Sequence, residues 1–437
     1  MADKYKIQGG TQLKGEVNIG GAKNAVLKLM AAAVLAEGET KIYNVPELTD
    51  VGIMLEVING LGVKTSYDKE AKYVSIDASN ITSITAKYEY VSKMRASFTI
   101  LGALVSRCKE AIVALPGGCA IGERRVDFHI KGLEALGAKI KIENGYVHAK
   151  APKLIGADIY LDIPSVGATE NLMLAAILAE GSTRIQNAAQ EPEIIDLANF
   201  LNTMGADIVG AGTSEIIING VKQSDLHPIE YTTIPDRIEA GTFMTAVVAS
   251  KGKAIIKNVF PAHLTFFTDK LIKMGASIKL IEPTAIEVSC KNRLNSLNFV
   301  TQPYPGFPTD LQSMAMALLT TANGVGIITE SLYENRFMQV PHLLRMGADI
   351  HQDRNHAIIK GVKKLTGATV SASDLRAGAS LVVAAIMAEG TSIIENLHHI
   401  DRGYENFDSK LRALGANIVR YSEETEEAKG LTNESRV

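Results

Sequence analysis

Three sets of residues in this chain have the types and spacing for chemistry. The first is the loop Leu115-Pro116-Gly117-Gly118-Cys119-Ala120-Ile121-Gly122, followed by Arg124, Arg125, Val126, Asp127, Phe128 and His129. A thiol stands there among glycines with guanidiniums close behind it, a setting that favours the thiolate or lets the thiol serve as an acid. Cys108, beside Arg107 and Lys109, and Cys290, at the end of a strand-like run, lack that setting. The second set recurs along the chain: Lys23-Asn24, Arg95, Ser165, Asp236-Arg237, Thr309-Asp310 and Arg376. Asn24, Ser165, Asp236 and Thr309 have the side chains of helix N-caps, and each taken alone reads as a cap. Capping does not account for Lys23, Arg95, Arg237 and Arg376, because a cation at a helix N-terminus opposes the macrodipole. An anionic group such as a phosphate or carboxylate belongs beside them. The third set is Glu334-Asn335-Arg336-Phe337 and Asp401-Arg402-Gly403-Tyr404, arginines in turns, which singly read as surface residues.

What positions these groups is a sixfold echo. Leu61-Gly62-Val63, Leu136-Gly137-Ala138, Met204-Gly205-Ala206, Met274-Gly275-Ala276, Met346-Gly347-Ala348 and Leu414-Gly415-Ala416 follow one another at roughly 70-residue intervals. Each glycine ends an amphipathic run and precedes a strand-like stretch, as in Lys139-Ile140-Lys141-Ile142, which predicts a helix closed by a C-cap glycine and handed to a hairpin. An alanine-rich helix keeps the same step: Leu29 to Ala36, Ala96 to Leu104, Leu172 to Ala179, Gly241 to Ala249, Ser313 to Leu319 and Ala379 to Ala388. The repeat therefore reads strand, helix, strand, helix, strand, strand, with the polar residues of the second set at the start of each alanine-rich helix. Small alanines predict helices packed closely inside each lobe, and the charged faces of the other helices place those outside. The strands Tyr5 to Gly9 and Gly15 to Ile19 precede the first alanine-rich helix, and Ile229 to Ile234 precedes the fourth.

With 437 residues, 46% of them hydrophobic, the chain is too long for one core and sufficient for two. Three repeats per lobe give one lobe over residues 22–231, carrying the Cys119 loop, and a second over residues 1–21 and 232–421. Residues 422–437, with Glu423-Glu424-Thr425-Glu426-Glu427 and no apolar period, read as a solvated tail. Helix N-termini with added cations, drawn from both lobes, predict a positive cleft between them. A net charge of -3 without a basic cluster argues against nucleic acid or a membrane surface as partner. No signal peptide or membrane span is evident, which points to the cytoplasm. Three cysteines without paired spacing indicate neither a disulfide framework nor a metal site.

At these residues the chain resembles the UDP-N-acetylglucosamine 1-carboxyvinyltransferase family of the EPSP synthase-like superfamily. The resemblance rests on Gly21-Ala22-Lys23-Asn24, Pro116-Gly117-Gly118-Cys119 with Gly122, Arg124, Asp127 and His129, Phe307-Pro308-Thr309-Asp310, Glu334-Asn335-Arg336-Phe337, Asp374-Leu375-Arg376 and Asp401-Arg402-Gly403-Tyr404. It runs from about Lys6 to Arg420. The resemblance implies an α/β fold, a two-lobed inside-out α/β barrel with three repeats per lobe that closes over its substrate. It also implies the reaction that opens bacterial peptidoglycan synthesis: phosphoenolpyruvate gives its enolpyruvyl group to the 3-hydroxyl of UDP-N-acetylglucosamine and phosphate leaves. Neither metal nor organic cofactor is implied, and no obligate protein partner.

Carried over residue by residue, Lys23, Arg124 and Arg402 would hold the phosphate of phosphoenolpyruvate, with Arg336 and Arg376 near its carboxylate, and Asn24 would also contact phosphoenolpyruvate. Asn24, Arg95, Arg124, Arg125, Val126, Asp127, Phe128, Ser165, Val166, Gly167, Asp310 and Leu332 would contact the UDP-sugar. Asp310 would take the proton of the sugar hydroxyl. Cys119 would protonate the methylene carbon or hold a covalent pyruvate adduct, and would be the point of attack of the phosphonate epoxide fosfomycin. Arg125 stands where the family loop has proline, and Ile163-Pro164 where some members place a lysine. The alternatives are another enolpyruvyl transfer, of the shikimate 3-phosphate type, and a non-catalytic UDP-sugar-binding regulatory paralogue. The former lacks a Cys-bearing Pro-Gly-Gly loop of this kind.

Overall fold

The structure, a computed structural model, describes residues 3–117 and 126–422. Cys119, Arg124 and Arg125 lie outside the described residues, as does the expected tail beyond Ser422. The described residues form two compact units, residues 21–117 with 126–234 and residues 3–20 with 235–422. Each unit has its own hydrophobic core.

The landmark glycines act as the spacing predicts. Gly62, Gly137, Gly205, Gly275, Gly347 and Gly415 all have positive φ. In the helix Thr265–Met274, for example, Phe267, Leu271 and Met274 recur on one buried stripe, and Gly275 at φ +114° ends the helix in the left-handed conformation. Strands follow each of these turns. In Lys139–Glu143 and Tyr146–Lys150 the two-residue connection is Asn144-Gly145, with both φ values positive, the pairing that suits a tight hairpin.

Six four-stranded sheets form among the described residues, three in each unit. One shows the pattern plainly: Asp158–Tyr160 runs parallel to Ser182–Gln186, which pairs antiparallel with Glu215–Asn219, itself antiparallel to Asp207–Val209. Two repeats, however, take their first strand from a distant part of the chain. Lys14–Asn18, just before the first alanine-rich helix, lies parallel to Lys253–Lys257 in the repeat of the fourth. Glu230–Thr232, just before the fourth helix, lies parallel to Glu39–Tyr43 in the repeat of the first. A short strand joins the edge that offers it hydrogen bonds, and neighbourhood in sequence does not choose the edge. Lys4–Gln8 similarly sits between Thr391–Glu395 and Asn417–Tyr421, completing the last repeat.

The alanine-rich helices are Lys23–Ala33, Ile100–Cys108, Val166–Ala176, Arg237–Ala249, Gln312–Leu319 and Leu375–Met387, and nearly every side chain on them is buried. Small residues allow their close approach. A Cβ added at Gly102 would stand 2.2 Å from the backbone oxygen of Asn171, so only glycine lets Ile100–Cys108 lie against Val166–Ala176 in this way. Helix ends that would leave carbonyls without partners are served by long side chains: Arg107 donates to the carbonyls of Val34 and Ala36, and Arg293 to those of Thr321 and Ala322. No helix among the described residues is long and apolar enough to cross a membrane.

A buried ion pair joins two of the alanine-rich helices of the first unit. Lys28, on Lys23–Ala33, pairs with Glu170, on Val166–Ala176, and Glu170 is fully buried. Burial raises the Glu170 carboxyl to about 7 against the opposing pull of Lys28. Since its folded value lies above its ordinary 4.5, this group favours folding most at low pH, and that contribution is lost as pH rises toward 7. Glu170→Leu, which strands a buried ammonium, is expected to cost about 3 to 5 kcal/mol in urea unfolding, and adding Lys28→Leu to recover most of it. A double variant as unstable as the single one would show that Lys28 is not left uncompensated.

Candidate functional site

In the unit of residues 21–117 and 126–234, the cations expected at helix starts stand there. Lys23 is the first residue of Lys23–Ala33, buried, with its Nζ 2.9 Å from Oδ2 of Asp50. Asp50 lies in the first turn of Thr49–Asn59, where a carboxylate suits the helix N-terminus. It neutralises an ammonium that the helix alone would repel. Asn24 is the second residue of the helix, which corrects its reading as the N-cap; that position is Ala22. Arg95, half-buried, opens the short helix Arg95–Thr99.

Ser165 is a cap as expected, its hydroxyl accepting the N–H of Ala168 at 3.4 Å. Val166 and Gly167 follow as the first helical residues, half-buried. Val126, Asp127 and Phe128 lead into the helix Asp127–Ala135 and are likewise half-buried. Beyond them His129 is buried, its ring edge-on to Phe98 with centroids 5.2 Å apart. Burial, with Arg95 and Lys28 nearby, lowers its pKa to about 3, so the imidazole is neutral at ordinary pH.

The other unit, residues 3–20 and 235–422, brings three of the expected residues into direct contact. Oδ1 of Asp310 accepts from Arg336 Nη2 at 2.6 Å and Oδ2 from Arg376 Nη2 at 3.2 Å. Both arginines are buried, 6% and 2% exposed, whereas the Asp310 side chain keeps 26% of its surface. Arg336 is therefore not the surface residue that a lone arginine in a turn suggests. Burial works against both charges, yet Asp310 and Asp374 hold Arg336 above the ordinary arginine value, and Tyr404, Asp310 and Asp236 do the same for Arg376. The guanidinium of Arg376 also stands 5.4 Å from the Tyr404 ring centroid.

Of the caps expected in this unit, Asp236 is one and Thr309 is not. Asp236 caps Arg237–Ala249, accepting from the N–H groups of Ile238 and Glu239. Asp374 does the same for Leu375–Met387 through Arg376 and Ala377, which fixes where Arg376 begins. Thr309 does not cap: its hydroxyl donates to Glu330 Oε2 at 2.9 Å. Glu330, buried, also accepts from Thr301 and from the N–H of Leu332, so one carboxylate ties the Thr309–Leu311 turn to the Leu332 turn. Leu332 itself is 37% exposed, and Arg402 ends the short helix Leu397–Arg402, half-buried.

Asp50 and Glu330 are thus supporting carboxylates that sequence reasoning missed, and Asp374 is one it met only as part of a motif. Only Asp374 carried a local signal, as an Asp two residues before Arg376 at a helix start. Chemically, the two units offer different things. One presents a buried ammonium and first-turn N–H groups at helix starts, suited to anionic oxygens. The other presents a carboxylate clasped by two buried guanidiniums, which are matched in shape and charge to carboxylates and phosphates.

A family model described as EPSP synthase (3-phosphoshikimate 1-carboxyvinyltransferase) matches residues 7–411 of the chain. The chain is 53% identical over 422 residues to a protein of Carboxydothermus hydrogenoformans named UDP-N-acetylglucosamine 1-carboxyvinyltransferase 2, covering 96% of this chain and 100% of that one. It is 50% identical over 422 residues to the UDP-N-acetylglucosamine 1-carboxyvinyltransferase of Gloeobacter violaceus, covering 96% and 91%. Among solved structures it resembles the enolpyruvyl transferase NikO from Streptomyces tendae, with a TM-score of 0.87, 26% identity and coverage of 96% and 99%. The EPSP synthase of Acinetobacter baumannii shares the fold at a TM-score of 0.72 and 18% identity, covering 96% and 100%.

Proposed function

We propose that this chain, which belongs to the EPSP synthase family and within it groups with the UDP-N-acetylglucosamine 1-carboxyvinyltransferases, transfers the enolpyruvyl group of phosphoenolpyruvate to the 3-hydroxyl of UDP-N-acetylglucosamine. The observation that carries this reading is identity of about half the residues, over nearly the whole chain, to relatives of that name. The reaction would open peptidoglycan synthesis in the cytoplasm, in service of cell-wall growth and division, and fosfomycin would inhibit it.

In this reading Lys23, Arg124 and Arg402 hold the phosphate of phosphoenolpyruvate, Arg336 and Arg376 its carboxylate, and Asn24 also contacts phosphoenolpyruvate. Arg95, Arg124 to Phe128, Ser165 to Gly167 and Leu332 hold the UDP-sugar, with Asn24 and Asp310 at its reacting end. The sugar 3-hydroxyl gives its proton to Asp310, and its oxygen bonds to C2 of phosphoenolpyruvate while C3 takes a proton from Cys119. The product of this addition is a tetrahedral ketal that still carries phosphate. The Cys119 thiolate then takes a proton back from the new methyl group as the C2–O bond to phosphate breaks, which leaves an enol ether on the sugar and free phosphate. Asp310 enters this sequence held by two guanidiniums, and the incoming carboxylate, which the same guanidiniums suit, is what releases it.

Phosphate release tests the reading. With phosphoenolpyruvate present, UDP-N-acetylglucosamine is expected to support release and shikimate 3-phosphate to support none. Release with shikimate 3-phosphate alone would move the chain to the other reaction of its family.

A further inference from the structure

Asn171 is fully buried on Val166–Ala176, and its two amide ends are occupied differently. Its Oδ1 accepts the N–H of Gly102 at 2.6 Å, in the close approach that only glycine at position 102 permits. The amide oxygen being fixed there, Nδ2 is the end that faces Nδ1 of His129, at 2.8 Å. An amide NH2 only donates, so Nδ1 accepts and the single proton of the neutral imidazole sits on Nε2. His129 is 5% exposed, and its Nε2 has no hydrogen-bond partner among the described residues. That edge of the ring faces Gly167: a Cβ built on Gly167 would lie 3.5 Å from Cε1 and 3.6 Å from Nε2. Gly167 is the second residue of an eleven-residue helix, and the N–H groups of Val166 and Gly167 are first-turn donors that no helix carbonyl takes.

We propose that Asn171 is a positioning residue that holds His129 as a neutral Nε2–H donor toward the first turn of Val166–Ala176, where an anionic oxygen of the nucleotide diphosphate binds. This rests on the reading that Ser165 to Gly167 hold the UDP-sugar. The charged groups that face the ring are Arg95, from Arg95–Thr99, and Lys28, from Lys23–Ala33 and paired with Glu170. Both cations oppose a second proton on the imidazole, so the donor keeps one form across the range in which a free histidine titrates. Affinity for the diphosphate is accordingly independent of this histidine's charge.

The test is UDP-N-acetylglucosamine binding by calorimetry between pH 6 and 8.5, together with imidazole 15N shifts of His129, in the wild-type protein and Asn171→Asp. The wild type is expected to show the Nε2–H tautomer and an affinity that this residue does not make pH-dependent. In Asn171→Asp the carboxylate still accepts from Gly102 but requires a proton on Nδ1, which leaves a lone pair on Nε2 facing the anion. Binding is then expected to weaken about tenfold or more at pH 8 and to recover as acid restores a proton to Nε2. A merely structural role for Asn171 would lower stability and leave that pH profile flat. If Asn171→Asp does not fold, His129→Phe, which keeps a ring against Phe98 and offers no proton, is expected to weaken binding to the same degree. An Nδ1–H tautomer in the wild type, or full affinity in the variants, overturns the proposal. Absence of binding by the wild type overturns instead the assignment of Ser165 to Gly167 on which it rests, and the 15N shifts still decide whether Asn171 sets the tautomer.

Discussion

Asp310→Asn is expected to lower kcat by about 100-fold or more, the scale of a lost general base, while the apparent KM for phosphoenolpyruvate falls rather than rises. Both parts follow from the clasp. The carboxylate accepts from Arg336 at 2.6 Å and from Arg376 at 3.2 Å, and the N-cap position of the turn that carries it is Pro308. An amide of the same shape cannot accept the sugar proton. Nor does it satisfy two guanidiniums as a carboxylate does, so these become better hosts for the carboxylate of phosphoenolpyruvate. A moderate loss of stability accompanies the change, because two buried cations lose part of their compensation. Steady-state kinetics with phosphoenolpyruvate varied at saturating UDP-sugar reads both parameters. Unchanged kcat with a raised KM would make Asp310 a binding residue and leave the base unassigned.

Cys119→Ser is expected to abolish most turnover, because a hydroxyl is a far weaker acid than a thiol of ordinary value about 8.5 and cannot supply the proton at neutral pH. Cys119→Asp retains an acid and is expected to retain turnover. The same residue is the expected target of fosfomycin, and the other two thiols make this a selective experiment. Burial raises the pKa of Cys108, with Arg107 and Lys109 only partly opposing it. Cys290 is raised by burial as well, and its Sγ donates to the carbonyl of Asn292 at 3.2 Å. Thiolates are therefore disfavoured at both sites. Peptide mapping after brief exposure to the epoxide is expected to find label on Cys119 in the wild type and none in Cys119→Asp. Label on Cys108 or Cys290 would remove Cys119 from the site.

Much of this architecture is legible in the amino-acid sequence because it is local. A C-cap glycine such as Gly275 needs its left-handed φ whatever surrounds it, so six of them in step announce six repeats. Ser165 and Asp236 cap helices for equally local reasons. Thr309 fails as a cap because a distant carboxylate, Glu330, takes its hydroxyl, and Asn24 because the helix begins one residue earlier. The sheet partners of the strands Lys14–Asn18 and Glu230–Thr232 are not legible in sequence, since a three- to five-residue strand carries no mark of which edge it will join. Asp50, Asn171 and Glu330 were missed for a related reason. Each sits in an ordinary helical or strand-end pattern, and its importance lies in a partner 20 to 70 residues away, as with Gly102 and Asn171, which the structure separates by 69 positions in sequence. The residues proposed to touch substrate come in recognisable motifs, whereas Asp50, Asn171 and Glu330 do not.

The central claim is the identity of the product, and nuclear magnetic resonance of a completed reaction tests it most directly. Phosphoenolpyruvate and UDP-N-acetylglucosamine incubated with the protein are expected to give one equivalent of inorganic phosphate for each vinyl ether formed, with the ether on the 3-oxygen of the sugar. Phosphate released without a sugar ether, or an ether formed on shikimate 3-phosphate in place of the UDP-sugar, would contradict the account.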